Sequence, residues 1–404
     1  MSGNKLRLAT TLVGLLLLGG CSVLQPVTDL FKSDEELEVL TLAPLEPAFD
    51  VRTVWQRDIG KGTEGFFSRL TPVVVNNTIF VADRNGTVIS LDAAGKTIWR
   101  TNIGSASGWF SSGESAKVAG GLAAFDGNIW LGTEDGRVLA LSQETGDITF
   151  DETVVGEILA KPTFGDGLVY VNTTAGRLFA LDLETGEEKW MHESEVPPLS
   201  LRGISQPTAA NGGVFVGTAA GKLQVSVSDS GLVAWEATVT TPAGATELER
   251  IIDVDTTPVI AGGNVYIVSY NGSLVSVELR TGRVVWQREY ASYQNLVVSG
   301  NSIYVTDVTG SVFAIDRRNG VELWSQNALK GRKLTAPAVL NDSLVVSDGF
   351  GTVHFLNTSE GTYQSRIVLD NAEGKGFYSA PVVMDDKVIV INQDGELTLL
   401  APQF

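Results

Sequence analysis

Few side chains in this sequence are spaced for chemistry. His192 and His354 are the only histidines; the first lies in the polar run "MHESE", the second in the strand-like "TVHFLN". Neither has a neighbouring carboxylate or hydroxyl at a spacing that marks a general base or a metal ligand. Cys21 is the sole cysteine, so no disulfide and no cysteine-ligated metal can form within the chain. No phosphate-cradling glycine loop and no metal-spaced carboxylate cluster is present. The sequence therefore predicts no catalytic, cofactor-binding or metal-binding residue, and no enzyme.

Recognition is better provided for. In "VPPLSLRG", prolines hold a loop extended beside Leu199, Leu201 and Arg202, whose planar guanidinium suits an interface. In "ELERIIDVDTTP", Asp253 and Asp255 offer acceptors. A bland alternative has Arg202 pairing with one of these aspartates, which would staple the two loops together. A third stretch, "TNIGSASGWFSSGESAKV", carries Trp109 and Phe110, which could stack on a sugar or cover a cavity mouth.

The elements that must position these loops follow from the whole chain. Lys5 and Arg7, an apolar run from Leu8 to Leu18, and "LGGC" ending at Cys21 form an export signal over residues 1–20. Residues 21–50, rich in Pro, Asp and Glu, are expected to be a tether. The formal charge of −18 is repelled by phosphates and anionic headgroups, which excludes nucleic acid and broad membrane adsorption as partners.

From residue 51 onward the sequence repeats. A proline precedes a glycine by fourteen residues at Pro72/Gly86, Pro162/Gly176, Pro207/Gly221, Pro258/Gly272, Pro337/Gly351 and Pro381/Gly395. Leu122/Gly136 and Leu296/Gly310 fill the same slots, which gives eight units. A second glycine follows at Gly95, Gly146, Gly186, Gly231, Gly282, Gly320 and Gly361. Four residues later stands Trp99, Phe150, Trp190, Trp235, Trp286 or Trp324, and Ser365 in the seventh unit. One aromatic per unit at a fixed position predicts packing between units.

Each unit divides into four short strands; in the third these lie in "PTFGD", "LVYVN", "RLFALD" and "EEKW". Asp92, Asp182 and Asp316 stand where a carboxylate can accept from N–H groups of the last turn. Apolar residues on both strand faces demand cover from both sides, which radially stacked sheets provide. The expected fold is all-β, an eight-bladed β-propeller over 51–404 with four-stranded antiparallel blades. The eighth unit stops before its fourth strand. "VRTVWQ", Val51 to Gln56, matches that strand and would close the ring by pairing with the C-terminal blade.

The motif "ALDLETGEEKW" and the unit spacing resemble the propellers of the quinoprotein family. A dehydrogenase of that family would hold pyrroloquinoline quinone beside a calcium ion and an adjacent-cysteine disulfide, and this chain has no cysteine to spare. "LGGC" resembles the lipobox of bacterial lipoproteins, which implies acylation of Cys21; Ser22 after it implies the outer membrane.

Lipobox, eight repeats, "LSLRG" and "DVDTTP" in this order together resemble the lipoprotein family of the outer-membrane β-barrel assembly machinery. That resemblance implies a non-enzymatic scaffold, lipid-anchored and facing the periplasm. Leu199, Leu201, Arg202, Asp253 and Asp255 would then contact a POTRA domain of BamA, the barrel-inserting subunit. Unfolded barrel clients are a second expected partner, added as a strand on an exposed blade edge. The alternative function is a carbohydrate-binding or adhesive surface propeller using Trp109.

Overall fold

A computed structural model describes residues 41–104, 114–369 and 376–404. The chain divides into a unit ending at Pro44 and a unit from Leu45 to Phe404 that carries the fold. Residues 1–20, Cys21 and most of the expected tether lie outside the described residues, as do Trp109 and Phe110.

The described residues form eight four-stranded antiparallel sheets, which pack in sequence order around a ring as a β-propeller. In blade 3 the strands are Thr163–Gly165, Leu168–Asn172, Arg177–Asp182 and Glu188–Glu193. Every residue of Leu168–Asn172 is buried, while the outermost strand is largely exposed. The two middle strands therefore carry apolar residues on both faces, because each face meets another blade. Phe80, Ala82 and Val88 of blade 1 pack on Leu122, Ile129, Leu131 and Leu139 of blade 2. The opposite face of blade 1, with Ile79, Val81, Ile89 and Leu91, packs on Ile389, Ile391, Leu397 and Leu399 of blade 8.

Blade 8 is completed from the other end of the fold. Asp50–Asp58 pairs antiparallel with Glu396–Gln403, from Asp50 opposite Gln403 to Asp58 opposite Glu396, with a register shift between Thr53 and Trp55. Six blades share one further device. The carbonyl of the first glycine accepts the N–H of the residue that follows the outer strand, as in Ile103 to Gly86 and Val154 to Gly136. At the closure Ile59 donates to Gly395 at 2.9 Å in the same way, so the joined blade repeats the local geometry of the continuous ones.

The aromatic slot is a blade-to-blade joint. Trp55, Trp99, Trp190, Trp235, Trp286 and Trp324 each lie against the second glycine of the following blade, at Gly95, Gly146, Gly231, Gly282, Gly320 and Gly361. Several indoles also donate to a carbonyl of that same turn: Trp190 Nε1 to Ser228 O at 2.8 Å, and Trp324 Nε1 to Thr358 O at 2.9 Å. Ser365 departs from the pattern for a physical reason. The blade that follows it has no second-glycine turn, because its outer strand is Asp50–Asp58. There Ser365 Oγ donates to Phe49 O at 2.8 Å, and Ala48 N donates to Gln364 O at 2.7 Å, so the seventh blade grips the incoming chain instead.

Turn chemistry follows the aspartates. Asp92 Oδ1 accepts from Ala94 and Lys96 N–H, both at 2.9 Å, and Asp182 Oδ1 from Glu184 and Thr185 at 3.0 and 2.9 Å. Those backbone N–H bonds, with Lys189 beside them, pull the Asp182 carboxyl down to about 2.

Candidate docking site

The connectors from each outer strand to the next inner strand gather on one face with the turns that carry the first glycines. On this face the connector of blades 3 and 4 meets that of blades 4 and 5. Asp253 Oδ2 accepts a hydrogen bond from the Leu201 backbone N–H, so the two loops are joined through main chain rather than through Arg202. Gly203 passes so close to Asp255 that an added Cβ would fall on its Oδ2, which explains a glycine after Arg202.

The stapling of Arg202 to an aspartate is corrected by the structure. Arg202 pairs with Glu134 at 2.8 Å and Glu157 at 3.5 Å. Glu134 is shared with Arg84 at 2.7 Å, and Arg84 reaches Glu64 at 2.9 Å. Charges thus alternate along the loops of blades 1 to 4, and Phe66 lies over the Arg84 guanidinium at 4.0 Å. Burial pushes the Glu134 carboxyl up, but the hydrogen bonds from Arg84 and Arg202 outweigh it and hold it below its ordinary range. Arg202 remains exposed and pre-oriented, which lowers the ordering cost of using it at an interface.

The predicted residues separate into two layers. Leu199 is 43% exposed and Arg202 is exposed, while Leu201 is half-buried. Asp253 and Asp255 are buried, at 1% and 6% exposure. They lie beneath the loop that the leucines present. Burial, reinforced by the charge of Asp255, pushes the Asp253 carboxyl up to about 7, and the Leu201 N–H only partly offsets this. Burial raises Asp255 to about 6 against the attraction of Arg69.

Arg69 was not found by sequence reasoning. It enters on the long connector between Trp55 and Pro72 and donates to Asp255 O at 3.0 Å and to Tyr293 O. The connector bearing the aspartates is thereby tied to the opposite part of the ring. Phe67, from the same connector, lies 5.4 Å from Tyr378 and 6.1 Å from Tyr293, ring centre to ring centre. The only sequence signal for this inserted segment was the length of its connector.

His354 also differs from expectation. It is fully buried, its Nε2 lies 2.9 Å from Asp348 Oδ2, and Arg332 Nε donates to the same oxygen at 2.6 Å. Burial lowers the imidazole and keeps it neutral, despite the attraction of Asp348. This group sits in blade 7, inside the protein and away from the leucine loop, where it acts as a structural pair. His192 lies on the outer strand of blade 3. Among the described residues no group of three His, Cys, Asp or Glu side chains is placed to hold a metal.

Fold and loops define an eight-bladed propeller of the quinoprotein type whose distinctive polar and apolar residues gather on one face. The family model described as outer membrane protein assembly factor BamB matches residues 47–110, 95–326 and 308–403. A protein of that description from Alteromonas naphthalenivorans is 45% identical over 395 residues, covering 95% of this chain and 94% of the relative. One from Escherichia coli K12 is 36% identical over 386 residues, covering 95% and 96%. The solved structure of BamB from Moraxella catarrhalis superposes with a TM-score of 0.75 at 25% identity, covering 87% of this chain and all of that one. A europium-containing methanol dehydrogenase superposes with a TM-score of 0.71 over 89% of this chain and 95% of that one, at 13% identity, a likeness of fold alone.

The chain belongs to the BamB family of outer membrane protein assembly factors. Its relatives carry the name of assembly factors and not of enzymes, and its place of work is the outer membrane.

Proposed function

We propose that this protein is a lipid-anchored scaffold of the β-barrel assembly complex, held at the outer membrane by acylated Cys21 and facing the periplasm. Leu199, Leu201 and Arg202 dock a POTRA domain of BamA. Asp253 and Asp255 act from below, by fixing the loop. The observation that carries this reading is the Asp253 carboxylate accepting the Leu201 N–H across two connectors, while Leu199 stays exposed above it. An apolar anchor beside a pre-oriented arginine is the composition of an interface centre.

The test is Leu199→Asp combined with Arg202→Glu in the full-length protein. Both side chains are exposed, so the far-ultraviolet circular dichroism should not change, while co-purification with BamA should be lost. Retained co-purification would sink the proposal.

A further inference from the structure

A cavity of about 380 Å³ opens beside the leucine loop, between blades 3 and 4. This volume is at the lower end for ligand sites, which suits one long side chain rather than a length of peptide. Asp255 lines it, more than nine-tenths buried, with no donor to its carboxylate oxygens among the described residues. Glu157 and Glu195 add two more carboxylates to the lining. Arg202 is the one cation in the wall, and it is already engaged by Glu134 and Glu157. Leu178, Val196 and Val216 supply apolar wall along which a methylene stem can lie.

We propose that this cavity receives an arginine side chain of the protein that docks on Leu199, with its guanidinium on the Asp255 carboxylate. The inference rests on the docking reading above and adds to it a specific anchor. A buried carboxylate without a donor is costly to keep, and a planar fork of N–H donors satisfies both of its oxygens at once. An anionic ligand is excluded by three carboxylates facing one already-paired arginine. A metal ion is disfavoured because no three ligating side chains among the described residues converge on one point.

The experiment titrates Nα-acetyl-arginine amide, and separately its uncharged isostere Nα-acetyl-citrulline amide, into the detergent-solubilised full-length protein at pH 7.5 by calorimetry. The arginine probe should bind and the citrulline probe should bind at least about tenfold more weakly, since charge-assisted bonds are roughly twice as strong as neutral ones. Asp255→Asn, which keeps the shape, should lose the difference. Val196→Arg, which places a cation at the cavity rim, should block the probe even if Asp255→Asn folds poorly. Equal binding of both probes, binding of neither, or arginine binding unchanged in both variants would overturn the inference. Leu199→Asp separates the two readings, because it should abolish co-purification with BamA and leave probe binding intact. If co-purification survives it, the docking surface is wrong whatever the cavity does.

Discussion

Gly212 and Gly231 lie in the same blade with nearly the same backbone, at φ of 73° and 70°. An added Cβ at Gly212 meets nothing within 4 Å, whereas at Gly231 it would stand 2.6 Å from Trp190 Cε3 of the preceding blade. Alanine in left-handed backbone costs about 1–2 kcal/mol, partly offset by about 0.4–1 kcal/mol from a stiffer unfolded chain. Gly212→Ala should therefore cost about 1 kcal/mol. Gly231→Ala carries the same term plus overpacking of about 1–3 kcal/mol, because the indole is pinned by its bond to Ser228 O and cannot step aside. Urea denaturation followed by tryptophan fluorescence measures both. In a Trp190→Ala background the excess at Gly231 should vanish, which makes the pair a double-mutant cycle on one blade joint. If the two glycine variants differ by less than about 0.5 kcal/mol, a threshold set by the scatter of additive sites, the joint is not where the stability of blade stacking lies.

Four further outcomes follow from buried charge and from closure. The Asp253 carboxyl stands at about 7 and Asp255 at about 6, well above the ordinary 3.8, so the folded state holds protons that the unfolded chain has released. Their contribution is best below about pH 4 and is lost as pH rises through 7. Asp253→Asn, which keeps an acceptor for Leu201 N–H, should remove about 3 kcal/mol of that loss between urea midpoints at pH 5 and pH 8. His354 runs the other way: its lowered pKa means that stability is lost as pH falls below the ordinary 6.5, and His354→Gln should remove that slope. Asp348→Asn should cost about 3 kcal/mol or more at neutral pH by taking a carboxylate from buried Arg332, again read from urea midpoints. Deleting residues 1–58 removes the partner of Glu396–Gln403 and should raise the mass seen in light scattering above that of the intact chain, through association at the bared strand edge.

The blades were legible because glycine and tryptophan answer local demands that recur around the ring, six times as a glycine against an indole. Gly95, Gly146, Gly231, Gly282, Gly320 and Gly361 must turn left-handed and must leave room for an indole, and both demands act at fixed spacing. The closing strand was legible by subtraction, since a unit ending at Phe404 lacks a fourth strand and Val51–Gln56 has the matching aromatic. Partner choice among the loop charges was not legible. Arg202 finds Glu134 in a hairpin turn of blade 2 and Glu157 on the connector from blade 2 to blade 3, and nothing periodic along the chain announces such a meeting. The Asp348–His354 pair was nearer to hand: the two residues lie close in sequence at the hairpin that pairs Val346 with His354, but a hairpin drawn without side chains does not say which one turns inward.

The propeller buries carboxylates in two different ways, and the contrast bears on function. Asp348 in blade 7 is satisfied from within, by Arg332, by His354 and by backbone N–H groups of its own turn, and its carboxyl stays below the ordinary range even though burial pushes it up. Asp253 and Asp255 are equally hidden, yet Asp253 Oδ1 has no donor, and the Asp255 carboxylate has only the through-space attraction of Arg69. A fold able to complete one buried charge network has left another incomplete, at a standing cost in stability. The incomplete pair lies directly under the exposed leucine and beside the cavity, on the face where the alternating chain from Glu64 to Glu157 ends. Strain of this kind persists where it is relieved by binding, because a partner that supplies the missing donors gains the desolvation energy that the free protein already carries. The same physics makes the two sites separable by experiment: satisfying Asp255 from outside should raise stability at neutral pH, while nothing added from outside should do so for Asp348.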